Sequence, residues 1–220
     1  MPDRHEQLAA LRRLLAERCP PTPRRPDAVV PTGIAAVDRL LQGGLRRGSI
    51  TEIVVAARSG GGQLLLDALI EAADEARHRL LLIDATDSFD FEPAAGASDF
   101  LPQLVWVRCP TLDAVWRAAD LGVRDAHFTV VVVDIRGVAT RELRRTPPGV
   151  WYRLQRAAGE SGVAAVVQSD VVTVPCAQAR LLLNRSFTLD ALAAERTELR
   201  QNLGIELQRQ RLNQAEEVAG

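Results

Sequence analysis

Apolar residues in this chain fall into short unbroken runs separated by stripes at helical spacing. Thr129–Asp134 (Thr-Val-Val-Val-Val-Asp) has no polar alternation. Both faces of that segment are therefore expected to be buried, as in an inner strand of a parallel sheet. Ser49–Val55, Leu80–Asp84, Gln103–Arg108 and Gly162–Gln168 read as further strands. Between them the period lengthens and predicts helices over about 34–41 (closed by Gly43-Gly44), 63–77, 111–122 and 149–159. Strand alternating with helix predicts an α/β fold, with a mostly parallel central sheet and helices on both faces.

The flanks read differently. Residues 3–18 form an amphipathic helical pattern: Leu8, Leu11, Leu14 and Leu15 share one stripe, and Glu6, Arg13 and Glu17 lie opposite. Cys19-Pro20-Pro21-Thr22-Pro23-Arg24-Arg25-Pro26 ends that pattern and makes a stiff linker. The domain reading is a helix over 1–19, a linker over 20–30, a core over 31–190 and an extension over 191–220. Within the extension, Leu192, Leu199, Leu203 and Leu207 suit a helix, while Gly204–Arg211 suits an edge strand equally well.

Composition narrows the function. The chain has 220 residues, is 47% hydrophobic and carries a formal net charge of −1, so no global field draws nucleic acid or an anionic membrane. No apolar run is long enough to span a bilayer, and Met1–Glu6 is too polar for a signal peptide. Three widely spaced cysteines (Cys19, Cys109, Cys176) suggest reduced thiols in a cytoplasmic protein. The three histidines (His5, His78, His127) are not at ligand spacing, so no metal site is expected.

The chemistry concentrates at Ser59-Gly60-Gly61-Gly62-Gln63, which follows a predicted buried strand. A working phosphate loop reads G-x-x-x-x-G-K-[ST], with Lys reaching the phosphates and Ser/Thr holding Mg²⁺. Here Gly61 and Gly62 stand at those two positions, and the chain contains no lysine. A glycine-rich helix start can still hold an anion through free N–H groups, or it can be a turn that only connects strand to helix. Asp134, at the end of its strand, can serve as a metal ligand or as a carboxylate bonded to nearby loop N–H groups. Asp84, Asp87 and Asp90 make an acidic cluster past a strand end. Trp106, Trp116 and Trp151 read as core or semi-core anchors, with Trp151-Tyr152 placed to meet a partner.

The segments Pro31-Thr32-Gly33-Ile34-Ala35-Ala36-Val37-Asp38 and Gly43-Gly44-Leu45-Arg46-Arg47-Gly48-Ser49-Ile50-Thr51-Glu52-Ile53 resemble the opening of the RecA ATPase core, which reads T-G-x-x-x-L-D and G-G-L-x-x-G-x-x-x-E-I. The resemblance covers roughly residues 31–190 and implies a RecA-like P-loop NTPase fold with a degenerate phosphate loop. It implies that Val130–Asp134 is a Walker B-like strand and that Gln168 occupies a γ-phosphate sensor position. It also implies that Arg141, Arg144 and Arg145 lie on a shortened DNA-binding loop. The water-activating Glu of that family aligns with Thr86.

With these departures, the short loops and no large C-terminal domain, the chain is similar to the ImuA family of translesion accessory proteins. That likeness implies a non-catalytic role in SOS mutagenesis and DNA damage tolerance, without ATP or metal as cofactor. The implied partners are RecA, an ImuB-type polymerase-like protein and, indirectly, an error-prone replicative-type polymerase. Weak single-stranded DNA contact is a further implication. The tethered helix with Leu8, Leu11 and Leu15 implies docking on RecA or on another copy of the chain. Two rival expectations are a weak DNA-dependent ATPase and a SulA-like inhibitor of cell division.

Overall fold

The computed structural model describes residues 29–56, 61–89, 103–187 and 194–210. The amphipathic segment with Leu8, Leu11 and Leu15, the Pro-rich linker, and Ser59, Gly60 and Asp90 lie outside the described residues. Strands β1 (Val29–Val30) and β2 (Leu45–Arg46) pair antiparallel and flank helix α1 (Ala35–Leu40). Strand β3 (Ile50–Val55) leads to α2 (Gly61–Glu75), then β4 (Leu80–Asp84), β5 (Leu104–Arg108), α3 (Leu112–Arg124) and β6 (Val130–Asp134). A short turn of helix, α4 (Thr140–Leu143), precedes α5 (Pro148–Ser161), followed by β7 (Ala164–Ser169), β8 (Ala179–Leu183), α6 (Arg196–Gln201) and β9 (Ile205–Gln210).

Among the described residues, seven strands form one sheet in the order β5-β4-β6-β7-β3-β8-β9, parallel throughout except that β9 runs antiparallel to β8. The expected α/β architecture is present, with helices on both faces. On one face Leu82, Val132, Val166 and Leu181 pack against Leu65, Leu66 and Leu69 of α2. On the other, Leu81, Val131, Val133 and Val167 pack with Val115 and Ala119 of α3 and with Trp151 and Leu154 of α5. Trp116 and Trp151 meet edge to face at 4.9 Å between these two helices.

Local chemistry explains several boundaries. The Thr32 backbone N–H and hydroxyl both donate to the Asp38 carboxylate at 2.8 Å, which folds the Thr-Gly motif against α1. Thr111 Oγ1 accepts from the Ala114 N–H and starts α3. Pro148 sits in the first turn of α5, where its missing N–H costs nothing, and Gly162 ends that helix at φ 76°, a left-handed position that glycine takes without strain.

The sequence reading missed β8, whose alternation of buried and half-buried residues is interrupted by no turn signal. The extension resolves into both alternatives in succession: α6 is a helix, and Ile205–Gln210 is the edge strand. Trp106 departs from its expected place as a core or semi-core anchor. It lies on the edge strand β5, 40% exposed, and meets Phe89 at 5.2 Å. Trp151 is buried, and only its neighbour Tyr152 is exposed.

Candidate functional site

Strand register brings the singled-out residues together. Asp84 of β4 lies beside Asp134 of β6, Asp134 beside Gln168 of β7, and Gln168 beside Ile53 of β3. Residues level with one another in a parallel sheet share a face, so these three polar side chains stand on the α2 side. The chain leaving β4 carries Phe89 to that same face, whereas the chain leaving β6 passes through Leu143 of α4 and Trp151 of α5 on the opposite one. Adjacent strands whose continuations diverge open a crevice at their C-terminal ends, where open α/β sheets place ligands.

At that crevice Asp134 is paired with a side chain of its own strand end. Arg136, two residues past Asp134, turns back so that Nε donates to both Asp134 oxygens at 2.8 and 3.1 Å and Nη2 donates to Oδ2 at 2.5 Å; its backbone N–H donates to Oδ1 at 3.1 Å. Asp134 is fully buried and the Arg136 side chain is 15% exposed. Burial works to lower the Arg136 pKa, but the bond to Asp134 and the charges of Asp134, Asp170 and Asp84 outweigh it and hold the guanidinium above its ordinary range.

The other arm of that guanidinium reaches the start of α2. A Cβ built on Gly62 would stand 2.5 Å from Arg136 Nη1 and 3.0 Å from Val55. The absence of a side chain at Gly62 thus leaves room for the arginine at the helix start.

Asp84 is equally engaged by the chain. It accepts from the backbone N–H groups of Thr86, Ser88 and Phe89 at 3.1, 3.2 and 3.0 Å. Thr86 donates its hydroxyl to the Arg136 carbonyl at 3.1 Å. Asp170 accepts from the Gly137 N–H at 2.7 Å and ties the end of β7 to that of β6. Gln168 is fully buried, and among the described residues neither its Oε1 nor its Nε2 has a hydrogen-bond partner. Asp87 faces Arg108 at 3.6 Å, at the rim of a cleft of about 380 Å³ beside β4 and β5. Among the described residues, no group of three or more His, Cys, Asp and Glu side chains is arranged to hold a metal ion.

Arg141, Arg144 and Arg145 are brought together on one exposed side of α4 and the turn after it, at i, i+3 and i+4 spacing, while Leu143 points into the core. Arg144 lines a cleft of about 240 Å³ whose opposite wall is Val171–Thr173 and Pro175. Glu52 holds that wall in place, a role the sequence pattern did not reveal. Its buried carboxylate accepts from the N–H groups of Thr173 and Val174 at 2.5 and 2.8 Å and from Arg180 Nε at 2.6 Å. Cys109 and Cys176 are both buried, and burial with the nearby Asp84 charge pushes the Cys109 thiol upward.

No known family model matches this chain, and no curated protein sequence matches it either. Among the described residues, no helix is long and apolar enough to cross a membrane.

Proposed function

We propose that this chain is a RecA-like accessory protein of SOS-induced translesion synthesis that works by binding other proteins and does not turn over ATP. One observation carries the reading. The glycine-loop strand β3, the Gln168 strand β7 and the Asp134 strand β6 lie side by side, in register at the positions the resemblance marks. Around that frame the Lys, Ser/Thr and Glu positions are Gly61, Gly62 and Thr86, and Asp134 is paired with Arg136. Phosphoryl transfer depends on fixed charge around the transferred group, and losing one such group costs several kcal/mol of barrier. The partners on this reading are RecA and an ImuB-type polymerase-like protein, with an error-prone polymerase reached indirectly.

Capture of the tagged full chain from DNA-damaged cells tests the reading. Recovery of RecA together with a polymerase-like protein supports it. Recovery of the division GTPase instead favours the SulA-like alternative. ATP turnover that survives further purification and is abolished by Asp134→Ala favours the ATPase.

A further inference from the structure

We infer that the crevice at the end of β6 is a guanidinium socket and that Arg136 is its resident ligand. Asp134 forms the base of the socket, and the Gly62 backbone at the start of α2 forms its wall. The inference rests on the reading of this crevice as a former nucleotide site, and it explains why the loop is glycine at Gly62 rather than merely eroded.

The argument is steric and electrostatic. Three of the bonds to the Asp134 carboxylate come from the guanidinium itself, in the fork geometry that matches a planar donor to a carboxylate. With Asp134 holding two nitrogens, Nη1 faces Gly62, where a methyl group would stand 2.5 Å away. The side chain cannot swing aside without breaking its pairing with a carboxylate that is fully buried. A cation at a helix N-terminus is disfavoured by the helix dipole, so the site requires its buried counter-ion. Asp84 and Asp170 add negative charge around the same guanidinium. A socket of this kind selects a planar cation over phosphate.

Two experiments on the full chain test this. In the first, Arg136→Ala should lower the melting temperature, and millimolar methylguanidinium should raise it again saturably. Matched sodium chloride should not, and wild type should gain nothing. Adding Gly62→Ala to Arg136→Ala should abolish the rescue. Absence of rescue in a folded Arg136→Ala chain overturns the inference.

The second experiment covers the case in which Arg136→Ala does not fold. Gly62→Ala should shift the folding equilibrium of wild type about tenfold or more further than it shifts that of Arg136→Lys, whose single ammonium nitrogen leaves nothing in the place of Nη1. Equal effects in both backgrounds overturn the inference. Rescue together with ATP turnover by wild type leaves the socket standing and removes the accessory reading; no rescue with no turnover does the reverse.

Discussion

Glu52 of β3 and Arg180 of β8 meet at 2.6 Å across neighbouring parallel strands, with Glu52 fully buried and Arg180 13% exposed. The same carboxylate receives two backbone N–H groups from the loop after β7, and Arg180 Nη2 donates to the Val174 carbonyl at 3.0 Å. One pair therefore fastens the loop that walls the Arg144 cleft. Removing one partner of a buried pair costs about 3–5 kcal/mol, because the other charge stays buried without compensation. Glu52→Ala should lose stability on that scale in urea unfolding, and the Thr173 and Val174 amides should exchange faster than those of β6. Unchanged exchange there would show that the loop is held by something else.

Gln168 has the opposite problem, a buried amide with no hydrogen-bond partner among the described residues. An unsatisfied buried polar group costs about 1–3 kcal/mol, so Gln168→Leu should be neutral or stabilising by thermal melting. Clear destabilisation would mean that a water molecule or ligand satisfies the amide in solution.

Asp67 on α2 is buried and accepts from Gln63 Nε2 at 2.8 Å. Burial raises its pKa above the ordinary value of 3.8, outweighing the Gln63 bond and the Arg196 and Arg200 charges. A folded state that holds its proton more tightly loses stability as pH rises from the unfolded value through the folded one. Asp67→Asn should thus melt higher than wild type at neutral pH. That advantage should vanish when both states are protonated, below the ordinary value.

On the proposed reading, the exposed arginine turn is expected to give only weak nucleic-acid contact. Three phosphate contacts give a shallow salt slope and little affinity on a chain with net charge −1. Arg141→Ala, Arg144→Ala and Arg145→Ala together should abolish what single-stranded DNA binding the chain shows in a low-salt anisotropy titration. A triple variant that binds as well as wild type moves the contact elsewhere.

The Leu8/Leu11/Leu15 stripe lies outside the described residues, yet its sequence makes a firm expectation. Burying three leucines is worth roughly 5–8 kcal/mol before ordering costs, enough to drive docking on a partner. Deleting residues 1–25 should leave a folded core that no longer captures RecA or self-associates. A core that unfolds on truncation would place the helix on its own domain, and binding that persists would place the interface on the core or on β9.

What the amino-acid sequence determined by itself was the order and kind of the elements. Runs such as Thr129–Asp134 can be satisfied only by burial on both faces, so the parallel sheet and its flanking helices followed from periodicity alone. The absence of Lys at the glycine loop was equally plain. Tertiary structure decided the partners. Arg136 and Gly62 are far apart in the chain, and their contact exists only because β6 ends and α2 begins at the same crevice. Glu52 sat in a recognisable motif, but its hold on Thr173 and Val174 depends on how the β7–β8 loop crosses the sheet. Strand β8 and the edge strand β9 were obscure for a related reason: their half-buried residues take their pattern from cross-strand neighbours, not from local propensity. Local spacing encodes which face a residue occupies, whereas which charge it meets there is set by the packing of distant segments.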